Sequence, residues 1–270
     1  MKRSGRACAR CDRDASDRSC LLPFVNPSRA RFCARLAAAI AISCFAIQAS
    51  AAGVEIPPAV GAYASALDDL RTSHGKSPIE PVFEAGMQAS PQIQAVLPDL
   101  SESQYQQVQH QMQGFIVVRE AMIVVRPSVD YFKSLARKQG TKADRAFFDI
   151  YSRTEPDGNG PFPAYIQQQT DETGCTRFDG KLMVDIYRGW LTFRTTYPED
   201  YADEAQGEID SLETELLSGI CSCEDAGKTA SGLQAFVKAF PDLPITPKIK
   251  TRIAKIRGGK SSFRFNCHAG

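Results

Sequence analysis

The chain has 270 residues, 43% of them hydrophobic and 23% charged, which is typical of a globular protein with a sizeable core. Residues 1–51 hold nine Lys or Arg and three Asp or Glu, and the rest of the chain holds 23 basic and 28 acidic residues. Because residues 52–270 are mildly acidic, we do not predict nucleic acid as the main partner.

The N-terminal region has the features of an export signal in the required order. An arginine-rich segment over residues 29–35 precedes an apolar run over residues 36–47 and small residues around Ala51. The run is shorter than the ~20 residues that a membrane-spanning helix needs. We therefore predict a signal peptide over residues 25–51, cleavage near Ala51, and a periplasmic or secreted protein.

The domain organisation follows from this signal. Residues 1–24 are rich in Arg and Cys and precede a signal that is complete without them. We interpret them as a non-structural extension. Alternatively, the start codon is misassigned and translation begins near Val25. Residues 52–270 are predicted to form a single helical domain, less regular over 52–100 and with its core in 101–270.

Helical spacing of apolar residues dominates this domain. A first helix is predicted after Pro57, whereas four prolines between residues 76 and 100 leave room only for short helices. Ser101 with Gln104, and Thr141 with Asp144, match the pattern of N-terminal helix caps. Gly140 is predicted to end the helix before the second cap.

Residues 115–125 form the most apolar stretch of the predicted domain. Their β-branched side chains leave a strand interpretation open, but no turn residue divides the stretch. We therefore predict one long, largely buried helix that ends at Pro127.

Later helices are predicted near residues 182–197, 201–216, 229–240 and 247–257. The first of them carries an aromatic stripe that we assign to the core. The predicted fold class is therefore all-α: an irregular multi-helix bundle stapled by two disulfides and preceded by a signal peptide.

Four cysteines of the predicted domain, Cys175, Cys221, Cys223 and Cys267, are expected to form two disulfides in an oxidising compartment. Three pairings exist. A Cys221–Cys223 bond would close a tight, strained ring, so we predict that Cys221 and Cys223 bond to Cys175 and Cys267, in either order. A zinc site that combines His268 with three of these thiols would need them reduced, and we disfavour it.

Catalytic and metal-binding motifs are weak. Ser73 and Lys76 match a short pattern of penicillin-recognising enzymes whose other elements are missing, and we interpret them as a solvated helix end. Residues 155–160 imitate half of a calcium loop, but Pro163 and Ile166 stand where later ligands belong, so a turn is favoured. We predict no catalytic residue, no cofactor and no metal.

The clearest polar feature is a separation of charge. Residues 199–215 contain eight acidic and no basic residues, and residues 248–264 contain seven basic and no acidic ones. The basic segment either binds an anionic partner or envelope surface, or folds back beside the acidic helix, held by a bridge to Cys267; we favour the second. The candidate residues for an anionic partner are Lys248, Lys250, Arg252, Lys255 and Arg257.

We predict from these observations a non-enzymatic, exported bacterial envelope protein that binds another macromolecule, as an accessory, inhibitor or immunity-type protein. The expected partner is another envelope or secreted protein. One alternative is a periplasmic hydrolase that uses Asp149, Asp185 or His110. Another is attachment to a membrane surface through the basic C-terminal helix, which we do not favour. The sequence does not fix the oligomeric state.

Overall fold

Nine α-helices and two short antiparallel hairpins form the part of the chain that the computed structural model describes, residues 57–73, 75–119, 122–170 and 173–267. The predicted signal peptide, the extension before it and His268 lie outside these residues. Among the described helices none is both long enough and apolar enough to cross a lipid bilayer. The helices are α1 Pro58–Thr72, α2 Glu80–Val96, α3 Glu102–Gln109, α4 Val129–Gln139, α5 Lys142–Thr154, α6 Gly180–Thr196, α7 Ala202–Ser218, α8 Ala226–Ala239 and α9 Thr246–Arg257. The strands are β1 Phe115–Arg119, β2 Ile123–Pro127, β3 Ile166–Gln168 and β4 Gly174–Thr176.

The predicted helix caps are present. Ser101 caps α3: its side chain accepts from the backbone N–H of Gln104, while the Gln104 side chain accepts from the backbone N–H of Ser101 at 2.9 Å. Thr141 and Asp144 make the same reciprocal pair at the start of α5, and Gly140 ends α4. These local hydrogen bonds satisfy backbone groups that a helix end leaves free.

The prediction of only short helices over residues 76–100 is wrong, because α2 is 17 residues long. Pro81 lies in its first turn, where no intrahelical donor is needed. Pro91 lies inside the helix on its exposed face, and Met87, whose carbonyl loses its partner there, is 41% exposed. Water can therefore solvate that carbonyl, and the opposite face keeps Phe83 and Ile93 buried.

The prediction of a long helix over residues 115–125 is also wrong. This stretch forms the β1–β2 hairpin, in which Val117 lies opposite Val125. Six of its eleven residues are β-branched, and such side chains pack well on a pleated surface and poorly in a helix. Val125 is buried, and β2 packs against α2.

An aromatic cluster forms the centre of the bundle. The rings of Phe147 (α5) and Tyr201 (before α7) stack with centroids 3.8 Å apart, and Phe83 of α2 packs edge-on against Phe147. Trp190 of α6 is fully buried and donates to the Thr154 hydroxyl at 3.0 Å. The aromatic stripe predicted for the core therefore lies there, and the all-α fold class is confirmed.

Both disulfides join neighbouring extended segments. Cys175 of β4 bonds to Cys223, and Cys221 bonds to Cys267. The prediction that the two central cysteines reach outward to different partners is confirmed.

Backbone hydrogen bonds turn these segments into a small sheet, which we call the disulfide-linked sheet: residues 166–168, 174–176, 221–223 and 264–267. Thr176 pairs in parallel with Ser222, and Cys221 pairs in parallel with Arg264. Ser222 donates to the Arg264 carbonyl at 2.8 Å, and Arg264 donates to the Ile220 carbonyl at 3.0 Å. The chain that follows α7 and the chain that follows α9 are thereby held side by side.

Candidate functional site

The aspartates of the hydrolase alternative lie in one groove, about 480 Å³ in volume, between α5 and α6. Asp149 is 3.1 Å from the ammonium of Lys133, and Asp185 accepts a hydrogen bond from Lys181, which lowers the Asp185 pKa. A general acid needs a raised pKa, so Asp185 lacks the property that this role requires. His110 lies elsewhere, exposed at the end of α3.

The calcium-like turn uses its side chains within the fold. Asp157 accepts from the hydroxyl of Ser128 at 2.7 Å and from the backbone N–H groups of Val129 and Asp130 at 2.9 and 3.0 Å. Asn159 donates to the backbone carbonyls of Phe162, Pro163 and Ile166, which follow the turn. Asp157 therefore satisfies the free donors at the start of α4, as the interpretation of a structural turn requires.

One group of carboxylates in the described part of the chain has the spacing of metal ligands: Glu80, Glu84 and Glu204 offer oxygens within 4.8 Å of one another. Glu80 already accepts from the backbone N–H of Tyr201, just before α7 begins. Burial raises the pKa of both Glu80 and Glu204. Glu80 thus has a structural role, because it satisfies a backbone donor at the start of α7.

A basic cleft lies between the C-terminal end of α7, helix α9 and the segment that follows α9. Its volume is about 560 Å³, within the range of ~300–1,000 Å³ that is usual for ligand sites. The residues that line it include Leu217, Ser218, Ile220, Lys248, Thr251, Arg252, Lys255, Lys260, Ser262 and Phe263.

One wall of the basic cleft carries cations. Lys248 and Lys255 are seven residues apart on α9, so they lie on the same side of the helix, about 10.5 Å apart along its axis. Lys260 follows beyond the helix end. All three lysines are exposed, and none of their ammonium groups forms an ion pair or hydrogen bond with another described residue.

The wall formed by the end of α7 carries two aliphatic side chains. They are Leu217, in the last turn of α7, and Ile220, which directly precedes the disulfide-linked sheet; Ser218 and Gly219 lie between them. Ile220 is 69% exposed and stands out among the large hydrophobic residues of the described chain. Phe263, only 8% exposed, closes the bottom of the cleft.

Arg252 is part of the cleft floor and has a structural role. Its guanidinium donates to the carbonyls of Glu215 at 3.0 Å and Leu216 at 2.6 Å, and to that of Gly219. It also lies over the Phe263 ring, 4.5 Å from the centroid. Burial lowers the Arg252 pKa, while the nearby Glu215 opposes this effect. These carbonyls belong to the end of α7, so Arg252 caps that helix.

The five basic residues singled out in the sequence are therefore not equivalent. Lys248 and Lys255 line the cleft without a partner in the described part of the chain, whereas Arg252 binds carbonyls at the end of α7. Lys250 and Arg257 are exposed but do not line the cleft. At 100° per residue these last two project from another side of the helix.

The basic segment does fold back onto the acidic helix, because α9 contacts α7. This contact uses the backbone carbonyls that Arg252 binds, and no carboxylate of residues 199–215 forms an ion pair with the basic segment within the described residues. Glu213 instead accepts from Tyr187 at 2.6 Å, and Glu215 accepts from Thr176. The cleft lysines thus keep their charge available.

The isoleucines that make the basic segment amphipathic are buried in the protein. Ile249, Ile253 and Ile256 are at most 4% exposed and belong to the core. Helices that lie in a membrane interface insert such an apolar face among the lipids. In this fold α9 has no such face to offer, which disfavours the membrane alternative.

Several cleft residues escaped the sequence analysis. Lys260 belonged to the basic run but was left out of the candidates, because it follows the predicted helix. Ile220 carries no signal of its own. Its place in the cleft follows from contacts between distant segments, among them the α7–α9 packing and the hydrogen bond from Arg264 to its carbonyl.

No protein-family model matches the chain, and neither does any curated protein or solved structure.

Proposed function

We propose that the protein is an exported, non-enzymatic binding protein of the bacterial envelope, which holds an acidic segment of another envelope or secreted protein in the basic cleft. The observation that carries this proposal is that three lysines, Lys248, Lys255 and Lys260, lie in one concave site and have no ion-pair or hydrogen-bond partner among the residues that the structure describes. Like charges gathered in a cleft attract anions and speed their association.

The proposed location is supported by the two disulfides, which are consistent with an oxidising, exported compartment. The predicted signal peptide over residues 25–51 supplies the route. Export would also place the cleft in the same compartment as an envelope partner.

The shape of the site favours a segment of protein over a lipid surface. The cleft is concave, whereas a bilayer is flat on this scale, and the apolar face of α9 is buried. The volume of about 560 Å³ admits a short stretch of chain with its side chains, and a folded domain could only rest on the rim.

Charge reversal in matched pairs tests the proposal. The probe is a fluorescein-labelled acidic heptapeptide, Glu-Glu-Ser-Ser-Ser-Glu-Glu, titrated with the oxidised protein at low salt. Lys248→Glu with Lys255→Glu changes two cleft residues, and Lys250→Glu with Arg257→Glu changes two exposed residues of the same helix outside the cleft. We expect the first pair to weaken binding by at least about tenfold and the second by less than about threefold.

Equal weakening by both pairs would show diffuse attraction to a basic helix and would overturn the proposal. The same variants then serve to identify the natural partner. A protein of envelope extract that is captured by wild type and by the Lys250/Arg257 variant, but not by the Lys248/Lys255 variant, is the partner that we expect.

A further inference from the structure

The two walls of the basic cleft differ in chemistry. Lys248, Lys255 and Lys260 line one side, while Leu217 and Ile220 line the other. A purely acidic ligand would pair with the three lysines and would leave Leu217 and Ile220 exposed to water. Isolated aliphatic residues are common on surfaces, but this pair lines the same site of ligand size as the three lysines.

We infer that the segment held in the cleft carries an aliphatic side chain beside its carboxylates, and that this side chain packs on Leu217 and Ile220. The inference rests on the proposed function and specifies the ligand of the same site. Carboxylates would pair with the cleft lysines, and a Leu, Ile or Val side chain would cover the opposite wall.

The position of Ile220 supports this assignment. It directly precedes Cys221, and its carbonyl accepts from Arg264 at 3.0 Å, so its backbone belongs to a cross-linked part of the fold. A side chain on such a rigid base contacts a ligand with little loss of conformational freedom. Ile220 also borders a second, smaller cleft that includes Glu215 and Ser218, so it forms a ridge over which a chain can lie.

Polar groups for the backbone of the segment are present as well. Ser218 and Ser262 are exposed in the cleft, and neither hydroxyl has a hydrogen-bond partner among the described residues. Hydroxyls donate and accept, so they can bond the N–H and C=O groups of an extended peptide. A lipid with an anionic headgroup would use the lysines and the aliphatic wall but would have no backbone to offer these serines.

Two peptides and two protein variants test the inference. The peptides are Glu-Glu-Ser-Leu-Ser-Glu-Glu and the serine-only heptapeptide described above, which carry the same charge. On wild type we expect the leucine peptide to bind about tenfold more tightly, a difference that corresponds to roughly 1.4 kcal/mol and suits one partly buried leucine. Ile220→Ala should reduce the preference to about threefold or less without weakening the serine-only peptide.

Met87→Ala is the matched control, because Met87 is also a large hydrophobic residue with substantial exposure and lies on α2, outside the cleft. This variant should keep the tenfold preference. Ile220 is mostly exposed, so its replacement leaves the core intact, and thermal unfolding should confirm an unchanged midpoint.

The outcomes separate the inference from the proposed function. If both peptides bind equally and Lys248→Glu with Lys255→Glu weakens both, the cleft binds acidic chains but the aliphatic contact is wrong. If neither peptide binds, both proposals fall. If vesicles of anionic phospholipid displace the leucine peptide and bind wild type more tightly than Ile220→Ala, the ligand is a lipid and the inference is overturned.

Discussion

Arg252 shows that one side chain in a basic run can have a structural role that the lysines on the same helix lack. It holds three carbonyls at the end of α7 and lies over the Phe263 ring. Arg252→Ala would leave those carbonyls without their donor, so we expect the free energy of unfolding to fall by about 2–3 kcal/mol. Urea denaturation measures this change.

Lys250→Ala is the control for that experiment, since Lys250 is exposed on the same helix and makes no contact of this kind. Its effect should stay within about 0.5 kcal/mol. Equal losses in the two variants would mean that Arg252 contributes no more than its charge, contrary to the geometry.

At the scale of elements, the two disulfides should differ in their effect on binding. Their Cys positions are separated by 48 and 46 residues, so loss of either should destabilise the fold by a similar amount, about 3–4 kcal/mol. Of the two disulfides, Cys221–Cys267 is the one that ties the segment that carries Lys260 to the α7 side of the cleft. Cys221→Ser with Cys267→Ser should therefore weaken binding of the acidic heptapeptide by about tenfold, whereas Cys175→Ser with Cys223→Ser should preserve it.

This comparison needs folded protein, so circular dichroism at low temperature should accompany the titration of both variants. If the Cys221/Cys267 variant is folded and binds the peptide as wild type does, the backbone bonds around Arg264 suffice to shape the cleft. The disulfide would then contribute stability alone.

The sequence predicts elements well where the signal is local and periodic. Helix caps such as Ser101 and Thr141, and the apolar spacing of α6 to α9, identify the helices because the interactions span only a few residues. The β1–β2 hairpin was missed because its connecting residues, 120–122, contain no Gly, Asn or Pro to mark a turn. The hairpin is stabilised by contacts with residues far away in the chain, such as the packing of β2 against α2.

The cleft could be predicted only in part. The basic run is visible in the sequence. The sequence does not show that Lys248 and Lys255 line the cleft while Lys250 and Arg257 do not, because this depends on which face of α9 is buried. Ile220 joins the site because the end of α7 packs beside α9 and the segment after it. Contacts between residues far apart in the chain carry no local signature, and most of the cleft consists of them.

At the scale of the whole molecule, two carboxyl groups that burial holds protonated link stability to pH. Burial raises the pKa of Glu155 to about 7, against the effect of Arg126. Burial, followed by the proximity of Glu155, raises the pKa of Glu208 on α7 to about 8. In the unfolded chain both groups ionise near pH 4.5, their ordinary value.

The stabilising contribution of these groups is therefore complete below about pH 4.5 and is lost as pH rises through about 7 and about 8. We expect the free energy of unfolding to decrease between pH 5 and pH 8, by up to about 1.4 kcal/mol per pH unit for each group. Urea denaturation at several pH values measures the slope.

Glu208→Gln keeps the shape of the side chain without an ionisable group, so it should flatten this pH dependence. Glu199→Gln, at an exposed position, should leave it unchanged. A wild-type stability that rises from pH 5 to pH 8, or a slope that Glu208→Gln does not alter, contradicts the assignment.

The crossed bonding of Cys221 and Cys223 has a consequence for biosynthesis. During translation Cys221 and Cys223 both follow Cys175 and precede Cys267. The first disulfide to form can therefore join Cys175 to Cys221, which is not the native pair. The pairing of Thr176 with Ser222 favours Cys223, because it sets the register of the two segments. A chain oxidised before that pairing forms needs a disulfide isomerase to recover. The yield of binding-competent protein should thus depend on the redox catalysts of the compartment in which it matures.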